Sequence, residues 1–466
     1  MLRPNARALC LPLFALALCA CEQDTPGEDE PPEGFSADAA GGSADAGAPE
    51  PGAPEQGPPA RWAAPGEQVA CALNESFQAL LPVLNGGKTH PTGRGEQGSA
   101  YDPCNERIIL FGGNDFQPEE CADFGPKRFQ GDTWIYSLAH DNWARLDTPV
   151  APPARGRHRM VFDHSRKRIY LFGGRYREEG AMGDYLLFND LWAFDLNTDT
   201  WQELETGGDQ PTPRTNSAMV YDPVRDQLVL FGGSTSASGL NFTPQGDTYL
   251  LDLESLSWRR APGAGPRPRL FHDLVFSASQ DKLFLWGGGG ADAFTGPFYR
   301  DLWSFDLATN QWEELWDGSG PGPDARINPA LIDDPESGRI ILFAGHDDTQ
   351  VGHRNDLWAL DPVLVRWTAL QAGDTGTGDG CESFCSCPPD FVEVDVNSPE
   401  RRQYHTFQRI YGQRSAILFG GKGDCGYLDD TWRLDLESGS WEEVEPAGQG
   451  EACVRTGQEG CTDLCY

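Results

Sequence analysis

Three histidines occupy equivalent positions along the chain, and their side chains are the first candidates for chemistry. Each lies three residues after a recurring arginine, and they are His158, His272 and His405. Imidazole nitrogens ligate transition metals, so three of them brought together would form a metal site. We favour instead a structural role for these histidines in each repeat, and no metal or other cofactor is expected.

Cysteines form the second candidate group, because ten of the thirteen follow residue 21 and an even number in an exported protein suggests disulfides. The disulfide candidates are Cys71, Cys104, Cys121, Cys381, Cys385, Cys387, Cys425, Cys453, Cys461 and Cys465. Cys71 and Cys104 are candidates for one pair. The others are expected to staple a cysteine-rich insertion at 371–399 to the tail at 446–466. The alternative is a zinc site, since closely spaced thiolates such as Cys381 and Cys385 can ligate this metal.

A repeated aspartate suggests carboxylate catalysis at first sight. The six copies are Asp132, Asp190, Asp247, Asp301, Asp356 and Asp430. A catalytic carboxylate pair needs two different environments, whereas six copies at one repeated position predict turn capping or an arginine partner in every repeat. No catalytic residue is therefore predicted.

These residues belong to a pattern that occurs six times. The repeat arginines are Arg94, Arg155, Arg214, Arg269, Arg326 and Arg402. Seventeen residues after each arginine stands an aromatic residue that opens a Gly-Gly or similar pair: Phe111, Phe172, Phe231, Trp286, Phe343 and Phe419. Nine residues after the Trp or Tyr of each Asp-(Thr/Leu)-(Trp/Tyr) motif stands another tryptophan: Trp143, Trp201, Trp258, Trp312, Trp367 and Trp441.

Each repeat contains four short apolar runs that are typical of β-strands, such as 217–221, 227–231 and 248–252. Turn residues separate the runs, and the chain has 55 Gly and 36 Pro, which excludes an all-helical fold. The sequence predicts six four-stranded units.

The pattern Arg…Phe-Gly-Gly…Asp-Leu-Trp…Trp resembles Kelch repeats over roughly residues 94–445. The resemblance implies an all-β fold, a six-bladed β-propeller of four-stranded Kelch-type blades. It also implies that the histidine after the repeat arginine is a structural residue. Residues 61–93 would form a lead-in, within which residues 77–81 could add a closing strand to the last blade.

Strand direction separates the connections of such a propeller onto two faces. The turns from first to second and from third to fourth strand share one face, the short-turn face, and have constant length. The remaining connections vary in length on the other face, the loop face, where ligands usually bind. Its candidate ligand-binding aromatics are Phe116, Phe124, Tyr176, Tyr185, Phe242, Phe294, Phe298 and Tyr299. They could stack on neutral sugars or contact a basic protein, or they could pack beneath their own loops.

The N-terminus suggests export. Residues 1–21 have basic residues followed by a short apolar run, as in a signal peptide, and their end resembles the lipobox of bacterial lipoproteins, which implies lipid attachment to Cys21. Residues 22–60 are rich in Pro, Gly, Ala and acids, which predicts a disordered linker. The expected location is a bacterial membrane, at the outer membrane, the cell surface or the periplasm, with the lipid as the only membrane attachment.

Two classes of function are carried as hypotheses, and a purely structural envelope protein is a third possibility. The chain has a formal net charge of -35, which excludes a nucleic-acid partner because such binding depends on Lys and Arg. The first hypothesis is a binding module whose loop face takes a glycan or an envelope protein. The alternative is a carbohydrate-active propeller enzyme similar to galactose oxidase or sialic acid mutarotase, although no matching copper ligands are found.

Overall fold

Each of the six sequence repeats forms one antiparallel four-stranded sheet, or blade, in the computed structural model. The structure describes residues 75–115, 128–179, 181, 183–239, 241–293, 295–347, 352–376, 392–393, 395, 397–423 and 426–447. The predicted fold class, a six-bladed propeller of four-stranded blades, is confirmed.

The strands of the first three blades follow the repeats in order. Blade 1 contains Gly98–Asp102, Arg107–Phe111, Thr133–Ser137 and Asn142–Leu146. Blade 2 contains Arg159–Asp163, Arg168–Phe172, Leu191–Asp195 and Thr200–Leu204. Blade 3 contains Ala218–Asp222, Gln227–Phe231, Thr248–Asp252 and Ser257–Arg260, and Gly207–Gly208 pairs in parallel with its fourth strand.

The other three blades have the same order, with longer central strands in blades 5 and 6. Blade 4 contains Asp273–Ser277, Lys282–Trp286, Leu302–Asp306 and Gln311–Trp316. Blade 5 contains Ala330–Asp334, Arg339–Asp347, Gly352–Asp361 and Arg366–Gln371. Blade 6 contains Thr406–Ile410, Ser415–Lys422, Tyr427–Asp435 and Trp441–Glu445.

The first strands are innermost, since those of neighbouring blades contact each other around the whole ring, including blade 6 with blade 1. Short two-stranded ribbons extend some loops. They pair Asn114–Asp115 with Arg128–Phe129, Arg175–Tyr176 with Leu186–Leu187, and Thr375–Gly376 with Val392–Glu393. The first two ribbons lie between second and third strands and therefore belong to the loop face.

The short turns depend on aspartates that bind their own backbone. In blade 3, the Asp222 carboxylate accepts a hydrogen bond from the Val224 N–H at 3.0 Å. Asp226, the last residue of this turn, has a positive φ of 52°, which Asp adopts more readily than most residues. This local chemistry reverses the chain in four residues and sets the register that pairs Asp222 with Gln227.

Aromatic pairs connect each blade to the next. The outer-strand tryptophan of every blade packs on the aromatic residue that precedes the Gly-Gly pair of the preceding blade. The pairs are Phe111–Trp201, Phe172–Trp258, Phe231–Trp312, Trp286–Trp367, Phe343–Trp441 and Phe419–Trp143, with ring centroids 4.6 to 5.8 Å apart. The sixth pair joins blade 1 to blade 6, so the ring closes through the same contact as elsewhere.

The residue after the repeat aspartate influences which hydrogen-bond acceptor this tryptophan has. Where it is threonine, its hydroxyl accepts from the indole N–H of the next blade, as Thr133 does from Trp201 at 3.0 Å. Where it is leucine in blades 2 and 4, the indole nitrogens of Trp258 and Trp367 have no partner within the described residues. In blade 5, which also has leucine, the Trp441 indole of the next blade donates to the Gln371 side-chain oxygen at 2.9 Å instead. The Thr/Leu choice in the motif therefore has a structural consequence.

One prediction about the lead-in is wrong. Residues 77–81 belong to an α-helix, Glu75–Leu84, and not to a closing strand. The helix buries Phe77 and Leu84, two turns apart on one face, in the apolar cluster that holds Trp201. Blade 6 takes its fourth strand from its own repeat, so no strand is needed from the lead-in, and a short apolar run fits either element. Within the described ranges, no helix has the length and apolar character to cross a membrane.

The joint between blades 6 and 1 is also closed by hydrogen bonds. The Gly421 N–H donates to the Arg94 carbonyl at 2.8 Å, and the Tyr427 hydroxyl donates to the Asn114 side-chain oxygen at 2.6 Å. These contacts join residues more than 300 positions apart in the sequence. They close the propeller without exchange of a strand.

We predict that Thr133→Val destabilises the protein by about 1–2 kcal/mol, because it leaves the buried Trp201 N–H without an acceptor. Urea unfolding monitored by tryptophan fluorescence measures the change in the free energy of unfolding. The control is Thr368→Val, the same substitution on an exposed strand position. Equal effects of the two variants would show that the indole hydrogen bond contributes nothing.

Candidate binding site at the channel mouth

The repeat arginines organise the loop-face end of every blade. The guanidinium of Arg269 donates from Nε to the Arg267 carbonyl at 3.2 Å and from Nη1 to the Gly287 carbonyl at 3.0 Å. Its Nη1 and Nη2 also bind both carboxylate oxygens of Asp301, at 2.8 and 2.7 Å. The equivalent pairs are Arg94–Asp132, Arg155–Asp190, Arg214–Asp247, Arg326–Asp356 and Arg402–Asp430. The prediction of an arginine partner in every repeat is confirmed.

The charge state of these aspartates fits a structural role. Burial alone would raise the pKa of Asp301, but the hydrogen bonds and charge of Arg269, together with the Trp303 N–H, outweigh it and lower the pKa. The same balance with their own arginines lowers the pKa of Asp132 and Asp356. These carboxylates are ionised near neutral pH, and their oxygens are occupied by guanidinium and indole donors.

The Gly-Gly pair carries the connection to the next blade. The second glycine donates its N–H to the carbonyl of the next repeat arginine, as Gly113 does to Arg155 at 2.9 Å. The first glycine, Gly112, has a φ of 67°, and a Cβ there would lie 2.6 Å from the Arg155 carbonyl oxygen. The close approach of two blades therefore requires glycine at this position of blade 1.

Two residues after each repeat arginine, the chain places one residue at the loop-face mouth of the central channel. We call these the ring residues: Glu96, Arg157, Asn216, Phe271, Asn328 and Tyr404. All six have left-handed backbones, with φ between 52° and 64°. In five of the six steps, the N–H of one ring residue donates to the carbonyl of the preceding one, at 2.7 to 3.3 Å. These bonds offset the strain of a left-handed backbone, which costs about 1 kcal/mol or more per residue.

The ring residues surround a small pocket of about 70 Å³. Its remaining lining consists of Gln97, His158, Arg159, Pro329 and His405. The pocket combines charged, amide and aromatic groups around a common axis. It is therefore our candidate binding site.

One side of the ring is an ionic cluster. Glu96 contacts Arg157 Nε at 2.6 Å and Arg175 Nη2 at 2.9 Å, both through Oε1. Arg157 also donates to the Tyr404 hydroxyl at 2.9 Å, and its guanidinium lies 5.0 Å from the centre of the Phe271 ring. The buried cluster thus sets two guanidinium groups against one carboxylate.

The three candidate metal-ligating histidines pack on aromatic rings of the preceding blade. His158 lies against Phe111, and His272 and His405 lie against the equivalent residues of blades 3 and 5, with ring centroids 5.3 to 5.7 Å apart. Burial, reinforced by nearby arginines, lowers the pKa of His158 and of His405 to about 3, so both imidazoles are neutral. In the part of the chain that the structure describes, no cluster of His, Cys, Asp or Glu could hold a metal ion.

The candidate loop-face aromatics take different positions. Tyr185 is buried with the guanidinium groups of Arg175 and Arg177 4.1 and 4.3 Å from its ring centre. Phe242 is buried against the ring residue Phe271, at 5.4 Å. Half-buried positions are found for Tyr176, Phe298 and Tyr299, whereas Phe116, Phe124 and Phe294 lie outside the described residues. Tyr185 and Phe242 therefore support the ring from behind and do not offer a stacking surface.

Cys104 lies in the first short turn of blade 1 and is disulfide-bonded. The lipidation candidate Cys21 and the nine other disulfide candidates lie outside the described residues. The same holds for the signal peptide, the linker at 22–60 and most of the insertion and tail. The pairing of Cys71 with Cys104 and the cysteine-rich cap stay predictions.

Sequence reasoning missed the ring residues. Aligned on the repeat arginine, the second following position holds six side chains of five types, while the arginine, aspartate and tryptophan positions are constant. The first following position also holds five types, so variation alone does not single out the ring position. The partner Arg175 was missed because its contact with Glu96 crosses between blades.

Fold and repeat chemistry together define a Kelch-type β-propeller. A model of the KLHDC2/KLHL20/DRC7 Kelch-repeats domain matches residues 78–224 and 223–388, and the chain belongs to this family of Kelch-repeat proteins. It is 25% identical over 325 residues to Kelch domain-containing protein 10 of Xenopus tropicalis, covering 67% of this chain and 70% of the relative. The protein of the same name from Rattus norvegicus is 25% identical over 324 residues, with 66% and 70% covered.

We predict that the protein loses stability as the pH falls below about 6.5, because His158 and His405 stay neutral in the folded state but protonate when unfolded. The folded-state pKa is lowered, so this stability is complete above pH 6.5 and declines toward pH 3. Each histidine contributes a slope of up to about 1.4 kcal/mol per pH unit. Urea unfolding of wild type and His158→Gln between pH 7.5 and 4.5 measures how the free energy of unfolding changes with pH, and the slope should be smaller in the variant. A variant whose slope equals that of wild type would contradict the prediction.

Proposed function

We propose that this Kelch propeller is a protein-interaction module whose loop face binds a partner at the cell envelope. The observation that carries the proposal is the ring of six residues of five types at the channel mouth, on a scaffold whose arginine, aspartate and outer tryptophan are the same in every repeat. The side chain at this position differs among the blades and lies at the centre of one face, which suits recognition of a partner. Kelch propellers in general are interaction modules, which supports the same reading.

Surface chemistry supports a basic partner. The chain carries 71 acidic and 36 basic residues, so its long-range field attracts cationic surfaces. On the loop face, the ribbon of blade 2 exposes Leu186 at 59%, and such an apolar side chain can anchor a contact that charge has steered. We propose that the partner presents basic residues around an apolar contact.

We also propose attachment to a bacterial membrane through a lipid on Cys21. The support is the lipobox-like end of the apolar run at residues 8–18 and the acidic linker that follows it. A linker of this composition would extend and hold the propeller away from the membrane surface. The loop face would then be free to meet a partner in the envelope.

The loop-face proposal predicts that Leu186→Lys weakens partner binding about tenfold or more, because it places a cation where a basic partner docks. The full chain, wild type or variant, is used as bait in detergent extracts of the source envelope, and captured proteins are quantified by mass spectrometry. The matched control is Leu364→Lys, at a leucine 63% exposed on the short-turn face.

A specific partner should be retained by wild type and Leu364→Lys and lost with Leu186→Lys. Loss with Leu364→Lys alone would place the binding surface on the opposite face and contradict the proposal. Equal capture by all three proteins would do the same. A captured glycan with the same variant pattern would keep the loop face and replace the protein partner.

The anchor proposal predicts that an alkyne-tagged fatty acid labels the wild-type chain in bacterial cells and that Cys21→Ser abolishes the label. The cysteine thiol is the proposed attachment point, so serine should leave the chain unlipidated. Cys10→Ser serves as the control for loss of a cysteine within the same leader. Labelling that persists in Cys21→Ser would refute attachment at this residue.

A further inference from the structure

The outer strand of blade 5 lacks a charge that the outer strands of the other blades carry. An outermost strand has one edge whose N–H and C=O groups can pair with another chain, and natural proteins often place charged side chains there to prevent it. The second position after the outer tryptophan is exposed and charged in five blades: Arg145, Glu203, Arg260, Glu314 and Glu443. In blade 5 this exposed position holds Ala369.

Two other blades show which backbone groups point outward from the edge. In blade 1, the Trp143 N–H donates to the Thr89 carbonyl of the lead-in at 3.2 Å. In blade 3, the Trp258 carbonyl accepts from the Asp209 N–H at 2.9 Å. The backbone of the outer tryptophan therefore faces away from its own blade. In these two blades, a neighbouring segment of the chain already covers the edge.

The same groups of blade 5 are available for pairing. Outward and inward residues alternate along a strand, so Trp367 and Ala369 both direct their N–H and C=O groups outward. The ladder with the third strand is regular over residues 366–369, and its register shifts only after Ala369. In the part of the chain that the structure describes, no hydrogen bond reaches these outward groups from outside blade 5.

An apolar turn lies beside this edge. Val363 and Leu364, in the turn that leads into the strand, are 67% and 63% exposed. Among the described residues they are the two most exposed of the large hydrophobic side chains. An exposed apolar turn next to an edge without a charged residue at its middle indicates a surface that another chain covers.

Charge indicates what covers it. The chain has 71 acidic and 36 basic residues, so two copies repel each other over most of their surfaces. The outer strand of blade 5, Arg366–Gln371, contains no acidic residue, and Arg366 is its exposed charge. A basic partner would therefore be repelled here, whereas a second copy of the chain meets least repulsion at this strand.

The strand is also complementary to itself. Antiparallel pairing about a two-fold axis at Thr368 sets Trp367 against Ala369 and Arg366 against Leu370, so no like charges lie opposite each other. The same pairing of blade 4, with the axis at either central residue, would set Glu313 or Glu314 against its own copy. In blade 6, an axis at the middle of the strand would do so with Glu443.

We propose that two copies of the chain associate through the outer strands of blade 5, paired antiparallel with the two-fold axis at Thr368. Trp367 of each copy would exchange both backbone hydrogen bonds with Ala369 of the other, which joins the two blades into one continuous sheet. The turns at Val363 and Leu364 would flank the joint. The edge lies at the rim of the propeller and not on the loop face, so this inference is independent of the protein partner proposed above.

The substitution Ala369→Glu tests the edge, because it gives blade 5 the charge that blades 2, 4 and 6 carry. The mass of the full chain in mild detergent is measured by light scattering coupled to size exclusion, with the detergent contribution subtracted. Wild type should have about twice the mass of one chain, and Ala369→Glu should raise the Kd of the dimer about tenfold or more. The control Gln202→Glu adds the same charge to the exposed outer strand of blade 2 and should stay dimeric.

A cysteine at the two-fold axis tests the register and does not depend on the stability of Ala369→Glu. Residues that face each other in a pair without hydrogen bonds have Cα atoms about 4.5 Å apart, which a disulfide can bridge. Mild oxidation of Thr368→Cys should therefore give a covalent dimer on a non-reducing gel. Gln202→Cys, at the equivalent exposed position of blade 2, is the control and should run as a single chain.

A wild-type chain that has the mass of one copy at every protein concentration would overturn the proposal. A dimer that persists in folded Ala369→Glu would place the interface elsewhere and overturn it too. Equal cross-linking of Thr368→Cys and Gln202→Cys would contradict the register. Capture of the loop-face partner should be the same for wild type and Ala369→Glu, so the two proposals fail separately.

Discussion

The propeller depends on one buried guanidinium per blade. Through its side chain, each repeat arginine joins the end of the second strand to the start of the third, and its own carbonyl accepts the glycine N–H of the preceding blade. A bidentate arginine–aspartate pair has a fixed geometry, so it determines where the strands end as well as stabilising them. Five of the six aspartates also accept from a tryptophan indole, which ties the third strand to the same point.

With the blade ends fixed in this way, the spacing of residues within the repeat accounts for the contacts between neighbouring blades. The residue seventeen after the arginine ends the second strand in blades 1 to 4 and lies within the longer second strand of blades 5 and 6. The outer tryptophan of the next blade packs on it in all six interfaces. In three interfaces the histidine after the arginine packs on the same aromatic. The fold thus uses these side chains for packing between blades, whereas the ring residues differ from blade to blade, which is why we place the candidate binding site at the channel mouth.

The sequence predicted the blades because every blade satisfies the same contacts locally, and repetition reveals such contacts. The arginine–aspartate pairs followed from six equivalent copies, whereas the structural role of the histidines was implied by the resemblance to Kelch repeats. The helix at 75–84 was missed because a short apolar run such as Phe77 to Leu81 has no periodicity that separates helix from strand. The cluster of Glu96, Arg157 and Arg175 was missed because it occurs once and joins residues from different blades, which no single repeat displays. The burial of Tyr185 and Phe242 likewise depends on neighbouring loops.

The most direct test of this account is a double-mutant cycle on Arg269 and Asp301, measured as the free energy of unfolding in urea. We expect Asp301→Asn to cost about 3–5 kcal/mol, because Arg269 is fully buried and would keep its charge without a counterion. Arg269→Gln together with Asp301→Asn should cost less than the sum of the two single variants, since the second change removes a charge that the first has left unpaired. Single variants that each cost less than about 1 kcal/mol, with additive effects, would contradict the claim that the buried guanidinium organises the blade.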